Sequence, residues 1–463
     1  MEARWGVGPF RKVMFGAVGQ GEWPARGMGI ALRAGTGCTC ISKGPATRSR
    51  ASRFMIQNHH GQSARRVMLY SHDSFGLGHL RRSLTLASTI CEVYRDVSVL
   101  LVSGSPCASH FPLPEGVELV KLPTVTKDAH GDYVPRTSRD GTDRLLSLRQ
   151  ALVNESFRAF EPDLILVDHQ PIGLSGELLT VLREAKDKGI KTVLGMRDII
   201  DHPDVVARQW SDPGIREALR DLYTRVLVYG WPTVFDPRAA YPIPPELGPR
   251  IEFTGYVVRD TQTGQRSPRT RPHVLVTLGG GEDGDMLLEN WFAAMKHRPP
   301  AFDCSIVLGP LMHAERARSF KRAARTRRGV HVRGFYGNMP RLLADSDLVL
   351  SMAGYNSACE NLSARVPTVL CPRVHPRQEQ LLRAQNLERL GLARMVLPGA
   401  SPAMLREAVE QGLAARPDWS RMPPMDGRWR VCASLGEMLD LPPQSSHGAA
   451  APALPREVLS RIP

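Results

Sequence analysis

Two acidic groups and a glycine turn lie close together in the stretch Ser351–Ala384, SMAGYNSACENLSARVPTVLCPRVHPRQEQLLRA. It opens on small, turn-forming residues (Ser351, Ala353, Gly354) and continues into a helix-compatible segment with one carboxylate, Glu360. A second apolar run, Val366 to Cys371, is closed by Pro372 and followed by a loop holding Glu379 and Gln380. The order strand, glycine turn, helix, strand, acidic loop suits a nucleoside-diphosphate ligand at the carboxyl edge of a parallel sheet. Amides freed at the helix start, at Tyr355, Asn356 and Ser357, bind phosphate oxygens, and the helix dipole adds to that attraction. Glu360, one turn further on, is placed to accept from both ribose hydroxyls, and Glu379 with Gln380 to take the hydroxyls of an attached sugar.

Other reactive residue types are scattered. Ser71–Arg82 reads SHDSFGLGHLRR. A dinucleotide fingerprint needs a third glycine three residues after Gly78, but that position is Arg81, so a nicotinamide cofactor is a poor fit. Ser71-His72-Asp73 has the residue types of a hydrolase triad, yet consecutive side chains diverge and triads assemble from distant positions; Asp73 is left to face a cleft. Asp168-His169 and Arg197-Asp198 end apolar runs, where cleft residues collect, although a strand-end cap or a surface ion pair explains each as simply. Asp283-Gly-Asp285 reads as a solvated loop. Eight cysteines are spread along the chain, and the close pair Cys38-Thr39-Cys40 has no partner spacing for a metal site. No metal and no cofactor are expected.

At this point a resemblance becomes specific. Gly354 is followed six residues on by Glu360, seven further by Pro367 and eight further by His375, then by Glu379-Gln380 and Ala384. This pattern, without a gap, resembles the carboxyl-terminal half of the bacterial lipid-linked N-acetylglucosaminyltransferases of peptidoglycan synthesis, and more broadly the GT-B sugar-nucleotide glycosyltransferases. The resemblance implies two Rossmann-like domains facing a cleft and transfer of a hexosyl group from a nucleoside-diphosphate sugar, with a UDP-sugar expected, and with inversion. Glu360 would hold the ribose and Glu379-Gln380 the donor sugar. The family often has two glutamines at that pair, so Glu379 leaves the donor sugar open. The turn Gly279-Gly280-Gly281 would offer amides to the diphosphate or the acceptor, and Gly334-Phe335 would border the base. In the amino-terminal half, Gly76, Gly78 and His79 resemble a glycine-rich loop with a histidine near the acceptor. A neutral His79 would act as base on the acceptor hydroxyl, with Asp198 or Asp168 orienting it or binding the acceptor. Amide dipoles and basic residues would stabilise the leaving diphosphate without a metal. A lipid-linked acceptor and a cytoplasmic place, peripheral at the inner membrane face, go with the resemblance. Two rivals remain: a UDP-sugar 2-epimerase of the same fold, which would need acids at the sugar's C2, and a non-catalytic sugar-nucleotide-binding protein.

The elements that would carry these residues alternate. Short apolar strands at Val67–Tyr70, Val97–Val102, Leu164–Val167, Thr192–Leu194 and Arg225–Val228 are separated by helical segments such as Leu80–Val93, Gly176–Lys188 and Gly214–Thr224, the mark of an α/β domain with a parallel sheet. Pro123–Thr142 is polar and reads as a long loop. A polar run near Arg259–Arg271 is the best linker. Beyond it, strands at His273–Val276, Ser305–Leu308, Val330–Val332, Leu348–Leu350 and Thr368–Leu370 start a second alternation. The expected division is a basic leader over 1–66, an acceptor domain over 67–258, a linker over 259–271, a donor domain over 272–441 and a flexible tail over 442–463.

The 463 residues allow two or three domains, and 42% apolar with 23% charged residues describe a globular chain. Of the net charge of +14, residues 1–66 supply +9, from eleven Arg/Lys against two acids. The basic balance is therefore mostly a property of the leader, and specific nucleic-acid binding is not expected. The leader is rich in Gly, Arg and Ser and reads as non-globular. Its composition also fits a mitochondrial-type presequence, or a translation start at Met55 or Met68.

Overall fold

The computed structural model describes residues 64–72, 78–127, 133–259, 268–296 and 300–442. The leader up to residue 63, Asp73, Gly76, most of the linker and the tail from residue 443 lie outside the described residues.

The first strand, Arg65–Ser71 (β1), shows why a parallel sheet forms. Val67, Met68, Leu69 and Tyr70 are all fully buried. Val67 and Leu69 join one apolar cluster and Met68 and Tyr70 another, so alternate side chains enter cores on opposite faces. A strand covered on both faces reads as one continuous apolar run. The same holds for Val97–Ser103 (β2) and, less fully, Val117–Lys121 (β3). After a short antiparallel pair, Val125–Lys127 (β4) with Tyr133–Pro135 (β5), the pattern resumes at Leu164–Asp168 (β6), Lys191–Arg197 (β7), Arg225–Tyr229 (β8) and Ile251–Phe253 (β9). The seven-stranded parallel sheet has the order β3-β2-β1-β6-β7-β8-β9. The second half builds a six-stranded parallel sheet from His273–Thr277 (β10), Asp303–Val307 (β11), Val330–Arg333 (β12), Leu348–Ser351 (β13), Thr368–Leu370 (β14) and Arg394–Met395 (β15), in the order β12-β11-β10-β13-β14-β15.

Both orders reverse direction once: between β1 and β6, and between β10 and β13. At such a switch point the connections leave to opposite sides and open a crevice beyond the carboxyl ends of the two strands. The helix Gly78–Val93, His72 and His169 sit at the first reversal, and Gly279–Gly281 and Gly354 at the second. Two sheets each with a crevice at this place, facing one another, make the GT-B arrangement.

Two segments differ from expectation. The supposed loop Pro123–Thr142 contains the β4–β5 pair, in register Val125 with Pro135, and Val125 is buried with Leu145 and Leu174 in a small cluster of its own. Strands of three residues flanked by proline leave no period to read. The helix expected over Gly214–Thr224 is a short α-helical piece, Pro213–Glu217, continued by a wider π-helical turn over Ala218–Leu222.

The chain crosses between the halves more than once. After β9 it passes through Tyr256 into the second half, and the last helix among the described residues, Gly427–Met438, returns to pack on the first. Val431 and Leu435 share a core with Val67 and Leu69, and Arg225 Nη1 donates to Ser434 Oγ at 2.8 Å. The crossings meet at Tyr256, whose N–H donates to Pro424 O at 2.8 Å and whose carbonyl accepts from Gly427 N at 3.0 Å. Gly427 is needed there because a Cβ would lie 2.5 Å from Gly255 O. No helix among the described residues is long and apolar enough to cross a membrane.

Candidate active site

His79 lies in the first turn of the helix Gly78–Val93, and its Nδ1 is 2.6 Å from Oδ2 of Asp168 at the end of β6. Arg82, three residues further on and hence on the same helix face, closes on the same carboxylate: its Nε is 2.9 Å and its Nη2 2.7 Å from Oδ1, and Nη2 is 2.8 Å from Oδ2. The guanidinium is itself held over the rings of Tyr229 and Tyr355, 5.4 and 5.3 Å from their centroids. A carboxylate gripped by a guanidinium fork accepts only, so the imidazole proton belongs on Nδ1 and the lone pair on Nε2. Burial holds the His79 imidazole well below its usual value, and the charges of Arg82 and Arg197 act the same way. Burial raises the Asp168 carboxyl, against the pull of Arg82. The product is a neutral imidazole of fixed tautomer, the state a general base needs.

His79 and Gly78 line one wall of a cavity of about 280 Å³. The opposite wall comes from the second half. There the helix Tyr355–Ser363 begins after Gly354, whose backbone is extended and which supplies no side-chain cap. Its first amides are therefore not bonded by a capping side chain, which is the arrangement that receives an anion at a helix N-terminus. Gly279 and Gly280, after β10, and Ser357 border the same space. Gly281 lies beneath them with φ +95°, where a Cβ would stand 2.2 Å from Leu308 O; no other residue type fits that approach.

Glu360 lines the cavity one turn beyond the helix start. Burial raises its carboxyl, while Arg81 and Arg259 oppose that shift. Glu379 and Gln380 open the helix Glu379–Arg389, are 5% and 7% exposed, and both face the cavity. Arg373 organises them: its Nη2 donates to Glu379 Oε1 at 2.7 Å and its backbone N–H to Gln380 Oε1 at 3.2 Å. Glu379 Oε2 is buried without a partner, and the Gln380 amide nitrogen is not used in the Arg373 contact, so the pair presents an acceptor and a donor to a polyhydroxyl ligand. Phe335, 57% exposed, lies on the rim.

Most residues singled out in the sequence thus meet around one space, and some have other duties. Tyr355 turns its ring into the junction between the halves, where its hydroxyl donates to Tyr229 O at 2.9 Å. Asn356 Nδ2 donates to Gly78 O at 3.1 Å, tying the two walls together. Asp198 is not a cavity residue. It is fully buried, accepting from Tyr256 Oη at 2.5 Å and from Ile199 N at 2.8 Å, so the carboxylate that reaches His79 is Asp168. Arg82 and Arg373 join the site although neither is expected there from the sequence. The spacing of Arg82 from His79 was the signal for the first; Arg373 follows Pro372 directly after an apolar strand, which is weaker. Three imidazoles, His72, His79 and His169, stand with ring centroids 4.9–6.0 Å apart. Among the described residues no group of three or more His, Cys, Asp or Glu is arranged to hold a metal ion.

Residues 306–426 match the glycosyltransferase family 28 C-terminal domain. No curated protein sequence matches the chain. Among solved structures, the glycotransferase of kitacinnamycin superposes with a TM-score of 0.58 at 17% identity, over 82% of this chain and 100% of the other. CalG4, the calicheamicin glycosyltransferase, gives 0.56 at 18%, over 81% and 98%. MurG of Acinetobacter baumannii gives 0.51 at 12%, over 81% and 99%. At these identities the structural likeness speaks for the fold, and the domain match for the chemistry of the second half. The chain is a glycosyltransferase of GT-B fold that carries a family 28 C-terminal domain.

Proposed function

We propose that this protein moves a hexosyl group from a UDP-sugar onto a hydroxyl of an acceptor held by the first half, inverting the anomeric centre and using no metal. Residues 67–258 then serve as the acceptor domain and 272–441 as the donor domain, the last helix excepted. The observation that carries the reading is the His79–Asp168 contact of 2.6 Å on a cavity whose other wall holds the uncapped helix start, Glu360 and the Glu379–Gln380 pair.

His79 Nε2 takes the acceptor proton as the acceptor oxygen bonds to the anomeric carbon and the bond from that carbon to the diphosphate breaks. The imidazolium that forms is balanced by Asp168, already in contact with Nδ1. Attack from the first half and departure toward the second place nucleophile and leaving group on opposite faces of the sugar, which inverts the centre. Amides of Tyr355–Ser357 and the Gly279–Gly280 turn receive the negative charge growing on the leaving diphosphate. Glu360 holds the ribose, Phe335 borders the base, and Glu379 with Gln380 orients the sugar. An epimerase would need free acids at the sugar's C2; of the acids lining the cavity, Glu379 and Asp283 are each committed on one oxygen to Arg373.

Thermal shift with UDP-, GDP- and TDP-sugars tests the donor half, since a ligand that binds only the folded state raises Tm by mass action. The reading expects the largest rise with a UDP-sugar; equal absence of any shift with all three would overturn it.

A further inference from the structure

Of the four guanidiniums that line the cavity, three are engaged. Arg82 is bonded to Asp168, Arg373 to Glu379 and Asp283, and Arg197 reaches His169. Arg81 is the exception. Its side chain, half-buried, has no hydrogen bond and no ion pair among the described residues. Arg81 stands in the first turn of the helix Gly78–Val93, two residues after His79. Consecutive residues of a helix point about 100° apart. Arg82 therefore turns into the first half, toward Asp168, while Arg81 turns toward the second.

What Arg81 meets there is fixed by the bond from Asn356 Nδ2 to Gly78 O at 3.1 Å. This contact lays the opening turn of one helix against the opening turn of the other, so Arg81 lies beside the uncapped start of the helix Tyr355–Ser363. Positive charge is in surplus at this spot. Arg81, Arg259 and Glu360 border a small chamber next to the cavity. Burial raises the Glu360 carboxyl, and Arg81 and Arg259 both oppose it. Arg82 borders the same chamber, but Asp168 balances it. Two guanidiniums thus share one carboxylate, and no ion pair among the described residues joins Arg81 to Glu360. A guanidinium with no acid of its own, next to a helix start with free amides, is matched by an anion.

We propose that Arg81 completes the diphosphate site from the first half, donating to oxygens of the donor's diphosphate while the Tyr355–Ser357 amides donate from the second. This rests on the reading of the second half as the donor domain. As the bond from the anomeric carbon breaks, its electron pair goes to the diphosphate oxygen, and Arg81 balances that charge without giving up a proton. His79 and Arg81 share one helical turn, so the base and the leaving group are both referred to one rigid element. The diphosphate then ties the two walls of the cavity together.

The test is calorimetric titration of the full chain with UDP and, by displacement of UDP, with uridine. Arg81→Gln is expected to lose roughly tenfold or more in UDP affinity, the scale of a lost charged hydrogen bond. Uridine, which carries no phosphate, should change by less than about twofold. Arg81→Lys keeps the charge but not the fork, so its UDP affinity should lie between the two. An equal loss for UDP and uridine would give Arg81 a structural role, and an unchanged UDP affinity would take it off the ligand; either overturns the proposal. Should Arg81→Gln lose its cooperative melt, Arg81→Lys decides: a loss of about threefold or more for UDP alone supports the site, and an equal loss or none overturns it. If UDP fails to bind the wild type, the donor reading fails separately, and inorganic pyrophosphate takes the place of UDP. Saturable pyrophosphate binding that Arg81→Gln weakens by about fivefold or more supports the site; no binding, or equal binding, overturns it.

Discussion

The two halves of the cleft do their work with different materials. In the second half the cavity-lining groups are backbone amides and three side chains, Glu360, Glu379 and Gln380, which, apart from the Gly279–Gly280 turn and Phe335, lie within one continuous stretch between β13 and the helix Glu379–Arg389. In the first half the side chains of the site are drawn from the ends of separate strands: His79 after β1, Asp168 and His169 at β6, Arg197 at β7. The first half keeps the His79 imidazole neutral by burial, and the second leaves a helix end uncapped. Substitutions should therefore damage the halves in different ways, Arg81 apart: catalysis and stability in the first, donor affinity in the second.

His79→Ala should give the largest effect, a fall of roughly 10²–10⁴-fold in kcat with donor half-saturation almost unchanged. Steady-state kinetics with a transferable acceptor measure it; a wild-type rate would move the base elsewhere, and a loss of donor affinity alone would merge the two halves' roles. Asp168→Ala comes next, in stability. It strands the buried Arg82 guanidinium without its acid, and breaking a buried pair from one side costs about 3–5 kcal/mol. Denaturant unfolding should show it, whereas the same measurement on Glu360→Gln should show little. For Glu360→Gln the loss is expected in donor binding, about 1.5–3 kcal/mol for a charged hydrogen bond, read by calorimetry with the nucleotide. An unchanged Kd would remove Glu360 from the ribose site.

A pH dependence set mainly by the first half accompanies these effects. Burial depresses His72 to about 3 and holds His79 and His169 well below 6.5. Between those folded values and 6.5 the unfolded chain binds more protons than the folded one, so stability is full above 6.5 and declines as pH falls below it. The slope approaches about 1.4 kcal/mol per pH unit for each imidazole. Tm should fall between pH 6.5 and 5 and the fall should shrink in His72→Gln, while kcat should hold across pH 6.5 because the base remains unprotonated. A kcat that halves near 6.5 would show an imidazole of ordinary affinity.

This difference in materials also decides what could be read in the sequence. The alternation of apolar strands revealed the α/β class and the two sheets, and the spacing from Gly354 to Ala384 marked most of the second-half wall of the cavity, because Glu360, Glu379 and Gln380 lie close together in the chain. The first-half wall was legible only in pieces. His79 stood out by its glycines, but nothing in the chain says that β1 and β6 are neighbours, so Asp168 and Asp198 looked alike as partners. They differ in that Asp198, just past the end of β7, faces Tyr256. Arg82 was hidden for the same reason: an arginine declares its role only through the acid it meets. The β4–β5 pair was missed because its three-residue strands take their order from Leu145 and Leu174, distant in sequence.

The meeting of the crossings at Tyr256 has a mechanical consequence. Two rigid bodies joined by one strand can swivel freely; joined by two strands bonded at a common point, they are left chiefly with a swing about that line. Tyr256 is bonded to Pro424 and Gly427 through its backbone and to Asp198 through its hydroxyl, which pins the pivot to the end of β7. Hinges of this kind concentrate the dihedral change in a few residues. Asp198 is the direct neighbour of Arg197, so the pivot and the first-half wall of the cavity are one peptide bond apart. Opening can widen the gap to the second-half wall while Arg197, near the axis, hardly travels.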